Sequence, residues 1–138
     1  MTGPAAAQPF NDRAAQYDRW FEKGPLFAIE LAALRAFRAE PPRPRLEIGV
    51  GPGRFAQELG IEFGIDPGTA PLHLASRRGI MTVRGTGEQL PVRSSTIGAA
   101  YLLFTLCFLA APSAVLGECA RILRPGGRML IGLIPKQS

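Results

Sequence analysis

Between Arg45 and Leu59 the chain passes from an apolar run, Arg45-Leu46-Glu47-Ile48, through three alternate glycines, Gly49-Val50-Gly51-Pro52-Gly53, into a helical pattern, Arg54-Phe55-Ala56-Gln57-Glu58-Leu59. A strand, a glycine turn and a helix in that succession make a nucleotide-type pocket. The turn is tight and a ligand must approach bare backbone, which is why glycines are needed. Everything else in the chain can be placed relative to this stretch.

Before it lies a helical arm. Residues 1–9 are rich in alanine and proline and read as a flexible tail. Asn11-Asp12 can cap a helix to about Glu22 that carries Tyr17, Trp20 and Phe21. Gly24-Pro25 breaks it, and Pro25 can open a second helix, in which Leu26, Ile29, Ala33 and Phe37 recur at helical spacing up to Ala39. Pro41-Pro42-Arg43-Pro44 then forms a stiff linker.

From Arg45 on, strand and helix signals alternate. Strands are expected at about Arg45–Gly49, Ile61–Ile65, Ile80–Val83, Ala99–Leu103 and Arg128–Leu133. Helices are expected at Gly53–Leu59, Thr69–Arg78 and Ser113–Leu123, the last with Leu116, Ala120 and Leu123 facing in, and Arg124-Pro125-Gly126-Gly127 as the turn after it. Alternation of this kind argues for parallel crossovers and a sheet covered on both faces. The expected organisation is one domain over residues 10–138, with the arm at 10–40 and the sheet core at 45–134.

Composition narrows the function classes. The formal charge is +5, but the arginines are scattered rather than clustered, so a nucleic-acid partner is not expected. Cys107 and Cys119 lack CxxC spacing and lie in apolar surroundings, as reduced thiols of a cytoplasmic protein do. A single histidine, His73, expected at the surface, argues against a His-based metal cluster. Residues Met1 to Gln8 carry no secretory-signal pattern. The most apolar run, Ala99 to Ala111, falls short of the roughly 20 residues that span a bilayer and reads as a buried strand with its loop.

In an open parallel sheet ligands bind beyond the carboxyl ends of the strands, where strand order reverses. Glu47 to Gly53, Asp66, and Gly85 to Glu88 all fall at such ends. Asp66 stands 17 positions after Gly49, where an acid can accept both hydroxyls of a ribose, in a dinucleotide or an adenosyl site. Glu47 and Arg54 separate the two. A dinucleotide fingerprint wants a third glycine at position 54, and a carboxylate at Glu47 would repel a pyrophosphate. S-adenosylmethionine, with its positive sulfonium and ammonium, tolerates that charge.

The same residues carry a family resemblance. Leu46 to Phe55 resembles the first motif of the class I S-adenosylmethionine-dependent methyltransferases, and more narrowly the small-molecule group typified by ubiquinone and menaquinone biosynthesis enzymes. Gly64-Ile65-Asp66-Pro67 resembles the second motif, Gly85-Thr86-Gly87-Glu88-Gln89-Leu90-Pro91 the family's Gly-Asp-Ala-Glu-x-Leu-Pro, and Arg121-Ile122-Leu123-Arg124-Pro125-Gly126-Gly127 its Arg-x-Leu-x-Pro-Gly-Gly. Tyr17-Asp18-Arg19-Trp20-Phe21 resembles the helix that folds over the cofactor.

The resemblance implies an α/β, Rossmann-like, doubly wound fold: a mainly parallel five-stranded sheet of order 3-2-1-4-5 behind an N-terminal helical arm. It implies S-adenosylmethionine as cofactor, S-adenosylhomocysteine as product, and a small-molecule acceptor. By position, Gly49, Gly51 and Gly53 would underlie the methionine and ribose, with Glu47 nearby. Asp66 would hold the ribose, Thr86, Gly87 and Glu88 would line the adenine, the backbone near Leu102 would face the methionine amine, and Tyr17 or Trp20 would lid the pocket.

Three departures qualify this. Thr86 replaces the usual adenine-contacting aspartate, so that hydrogen bond weakens or passes to Glu88. Gly98 replaces an aspartate before the fourth strand, which predicts poorer order there. The family's terminal antiparallel strand pair has no counterpart up to Ser138, so the apolar fifth strand is expected to be an edge, covered by another chain as in a homodimer or by further residues. Two other readings stay open: a non-catalytic or truncated S-adenosylmethionine-binding module, and a dinucleotide oxidoreductase, which Glu47 and Arg54 disfavour.

Overall fold

The computed structural model describes residues 25–35, 40–105 and 109–133. The expected first helix with Tyr17 and Trp20, the end of the second near Phe37, and Cys107 lie outside the described residues. Among the described residues nine elements run in order: α1 (Pro25–Arg35), β1 (Arg45–Ile48), α2 (Arg54–Leu59), β2 (Phe63–Asp66), α3 (Thr69–Arg77), β3 (Met81–Arg84), β4 (Ile97–Leu103), α4 (Pro112–Ile122) and β5 (Leu123–Gly132). The strands form one sheet of order β3-β2-β1-β4-β5, with every pairing parallel. This is the doubly wound sheet expected from the alternation, and its order reverses between β1 and β4.

Side-chain alternation divides the core between two faces of the sheet. Leu46, Ile48, Ile65, Ala100 and Leu102 face one way, onto Val115, Cys119 and Ile122 of α4. Val50, Ala99, Tyr101 and Leu103 belong to the other face, with Ala56 of α2, Leu72 and Ala75 of α3, and Leu34 of α1. β1 and β4 are buried along their whole length, as central strands covered on both sides are. Met81 and Val83 on the edge strand β3 are exposed. His73 is exposed, as expected.

The helix faces correct the sequence reading. In α1, Ile29 is 64% exposed and Ala33 is exposed, while Glu30 and Leu31 turn in. This helix is apolar on most of its circumference, so periodicity does not set its phase; contact with α2 does, helped by an ion pair of 2.8 Å between Arg35 and Glu58. In α4 the buried stripe is Val115, Cys119 and Ile122. Ala120 is exposed, and Leu116 and Leu123 are only partly buried.

Arg124 to Gly127 does not separate helix from strand. β5 starts at Leu123, opposite Ile97, and the register resumes at Arg128 opposite Ala99. Between these pairs the four residues Arg124 to Gly127 of β5 stand against the single Gly98 of β4, a bulge in which Gly126 takes φ 81°. Gly98 is not a point of weak order either. It lies inside β4, donates its N–H to Pro44 O at 2.8 Å, and has no room for a side chain: a Cβ would come within 2.5 Å of Arg43 O and 2.6 Å of Pro42 O.

Candidate functional site

The glycine loop starts where β1 ends. Gly49 takes φ 76°, and the N–H groups of Gly49 and Val50 both donate to Ile65 O, at 2.8 and 3.0 Å, which seats the loop on β2. Gly53 takes φ 83°, donates to Val50 O at 3.0 Å and precedes α2. A Cβ there would press on Ala75 of α3 at 3.0 Å. The Val50 side chain sits over Gly64 of β2, where a Cβ would come within 2.6 Å of it. Gly51, at φ 54°, has nothing within 4 Å of where a Cβ would be, so the crest of the loop presents bare backbone to open space.

Two carboxyl groups lie under this loop. Asp66 ends β2 and accepts from Gly51 N (3.0 Å, Oδ2) and Gly68 N (2.9 Å, Oδ1). Each oxygen keeps a second lone pair for a ligand hydroxyl. Burial raises the Asp66 pKa, and the two backbone N–H groups oppose that rise. Glu47 lies in β1 on the same face as Asp66, since Glu47 is registered with Gly64 and Asp66 follows two residues later. It is 2% exposed and its Oε1 has no hydrogen-bond partner. Burial, and then the negative charge of Asp66, push its pKa well above the ordinary carboxylate value. An orphaned, buried carboxyl oxygen is a ready acceptor for a cationic group.

On the other face of β1 is an apolar pocket. Its walls are Ile48 and Ile65 at the strand ends, Pro67 and Leu109. Backbone of Gly49, Gly85 and Gly87 completes it, together with Thr105 beyond β4. Gly87 is tightly enclosed, since a Cβ would meet Val115 at 3.1 Å and Ile48 at 3.2 Å. The segment carrying Gly85 to Glu88 is held from outside by α4. Glu118 accepts from Leu90 N at 2.8 Å and from Arg121 Nε at 2.6 Å, and Arg121 also donates to Leu90 O at 3.1 Å. The paired guanidinium holds the Glu118 carboxyl below its ordinary pKa.

The structure thus brings Glu47, Gly49, Gly51, Gly53 and Asp66 together, with Gly87 beside them across the pocket. Thr86 and Glu88 flank Gly87; Thr86 forms a bridge with Gln89, and Glu88 Oε1 is buried without a hydrogen-bond partner. Leu102 is fully buried within β4, paired with Ile131, its side chain in the core. Tyr17 lies outside the described residues. Sequence reasoning missed Thr105, whose hydroxyl is buried without a partner. The available signal was a single threonine in the apolar run from Ala99 to Ala111.

The profile of the methyltransferase domain family matches residues 46–131. An uncharacterized protein of Mycobacterium tuberculosis is 43% identical over 136 residues, which are 96% of this chain and 47% of that protein. A crystal structure of an S-adenosylmethionine-dependent methyltransferase from Thermotoga maritima superposes with TM-score 0.79 at 34% identity, covering 88% of this chain and 58% of that one. A demethylmenaquinone methyltransferase of Corynebacterium kroppenstedtii is 30% identical over 83 residues, 60% of this chain and 36% of that protein. The chain therefore spans about half the length, or less, of these relatives.

Proposed function

The chain belongs to the methyltransferase domain family, and on that premise we propose that it transfers the methyl group of S-adenosylmethionine to a small-molecule acceptor. The observation that carries the reading is the unpartnered, buried Oε1 of Glu47, set beside the glycine loop at the point where strand order reverses. A dinucleotide pyrophosphate would meet that carboxyl with its own negative charge, whereas a cationic ligand end relieves it.

The residues present fit the cofactor. Glu47 faces the positive methionine end, with Gly49, Gly51 and Gly53 as the surface beneath it. Asp66 takes the ribose hydroxyls on its free lone pairs. Thr86, Gly87 and Glu88 line the adenine, and Glu88 Oε1, lacking a partner, takes over the amino-group contact that an aspartate at 86 would make. The β4 backbone near Leu102 faces the methionine amine.

When bound, S-adenosylmethionine supplies a methyl carbon already activated by positive sulfur, so displacement by an acceptor's electron pair leaves a neutral thioether. What the protein adds is alignment and exclusion of water. Beyond β4 the described residues Phe104, Thr105, Leu109 and Ala110 offer no ionisable side chain. That favours an acceptor that is already nucleophilic and needs no general base. The Thermotoga protein is described as a possible histamine N-methyltransferase, and a neutral amine is an acceptor of this kind.

Calorimetric titration with S-adenosylhomocysteine and with NAD tests the cofactor. Binding of NAD alone would overturn the reading. Turnover is tested by transfer of labelled methyl to a panel of small amines, thiols and phenols. The coverage of the relatives favours a second reading, a cofactor-binding module that needs further residues to select its acceptor. Binding without turnover in this chain, together with turnover in a longer one, would select it.

A further inference from the structure

Phe104, the first residue past β4, takes φ 61°, a conformation that strains a non-glycine residue. Three contacts hold it there. Its N–H donates to Gly132 O at 2.9 Å, its ring packs on Phe55 with centroids 5.5 Å apart, and the tip of the ring sits over Gly132, where a Cβ would meet it at 3.0 Å. The strain redirects the chain, and the next side chain, Thr105, enters the apolar pocket instead of continuing the strand's alternation. Its Oγ1 is buried there with no hydrogen-bond partner. A buried hydroxyl without a partner carries a penalty that a bound ligand with a polar edge removes.

The surroundings define that ligand group. Ile48, Ile65, Pro67 and Leu109 are apolar, and Gly85 and Gly87 let backbone come close, so the lining matches an apolar ring with polarity at its edge. Ile48 and Ile65 point to the face of the sheet opposite Glu47 and Asp66. A ligand crossing the end of β1 would then place a positive end near Glu47 and a ring near Thr105.

We propose that Thr105 is a specificity-determining residue that reads the edge of the purine ring, its hydroxyl exchanging a hydrogen bond with a ring nitrogen or the exocyclic amine. The proposal rests on S-adenosylmethionine being the cofactor.

The test compares Thr105→Val, which keeps the shape, with Thr105→Ser, which keeps the hydroxyl. Both are titrated with S-adenosylhomocysteine, with 5′-methylthioadenosine, which lacks the amino-acid end, and with the deaminated analogue S-inosylhomocysteine. The expected result is an affinity loss of about 5- to 10-fold in the valine variant. The loss is equal for S-adenosylhomocysteine and methylthioadenosine, the serine variant stays within about twofold, and wild type's preference for adenine over hypoxanthine shrinks in the valine variant. Thermal melts confirm that both variants fold; if the valine variant does not, an absent base preference in wild type overturns the proposal and a clear one, kept by the serine variant, supports it. A loss confined to S-adenosylhomocysteine assigns the hydroxyl to the amino-acid end and overturns the proposal, as does no loss at all. Failure of wild type to bind either adenosyl compound overturns the cofactor reading and the proposal together.

Discussion

Replacing Glu47 by glutamine should stabilise the empty protein and weaken its hold on a cationic ligand, both from one cause. Glu47 is 2% exposed, its Oε1 lacks a partner, and Asp66 shares its face of the sheet. Burial first and Asp66 second raise its pKa well above the ordinary 4.5. The folded protein therefore binds a proton that the unfolded chain has released. Glu47's penalty is absent below about pH 4.5, and it grows as pH rises until the folded group itself ionises. One proton of difference corresponds to about 1.4 kcal/mol of stability per pH unit. Glutamine keeps the shape and does not titrate, so the variant should gain on wild type by up to about 1.4 kcal/mol for each unit above that point. Urea unfolding followed by circular dichroism at pH 5, 6 and 7 measures the difference. Parallel pH profiles for the two proteins would refute the reasoning. Conversely, the variant should bind S-adenosylhomocysteine roughly 10- to 150-fold more weakly, since a hydrogen bond to a charged group contributes roughly 1.5–3 kcal/mol, and bind methylthioadenosine unchanged.

Three further outcomes are expected. Asp66→Ala should cost S-adenosylhomocysteine affinity on the order of 1–3 kcal/mol by calorimetry through lost ribose hydrogen bonds; unchanged affinity would place the ribose elsewhere. Gly98→Ala should lower the urea midpoint by the equivalent of about 1–3 kcal/mol, because its Cβ would meet the backbone of Pro42 and Arg43 rather than a movable side chain; wild-type stability would mean that this backbone yields. Glu118→Ala should speed hydrogen exchange at the Leu90 amide by at least about tenfold and loosen S-adenosylhomocysteine binding, since Glu118 accepts that N–H and positions the Gly85 to Glu88 segment; protection unchanged at Leu90 would show that Arg121 has no need of Glu118 to hold the loop.

The sheet and the glycine loop could be read from the chain because their determinants are local: apolar runs of strand length, glycines at alternate positions and acids at strand ends. The phases of α1 and α4 could not. Ile29 and Leu31 are equally apolar, and only the packing against α2 decides that Leu31 goes in. Gly98 resembled a lost aspartate, yet the reason for glycine lies 56 and 55 residues earlier, in the carbonyls of Pro42 and Arg43. Thr105 was hidden because the left-handed turn at Phe104 has no glycine to announce it. The acids, conversely, were found by type and spacing, but the sharing of one face by Glu47 and Asp66 needed the register of β1 with β2.

The contact between Val50 and Gly64 ties two positions 14 residues apart into one inheritance unit. A single volume is divided between them: the valine fills it from the loop, and the glycine leaves it free from the strand. Any lineage that enlarges residue 64 first meets a collision beneath the loop, while one that first shrinks residue 50 passes through a void. The second route costs less at a site where a loop can settle, so drift at this pair has a preferred order. Across related chains the two positions should therefore change together, with the loop residue moving first.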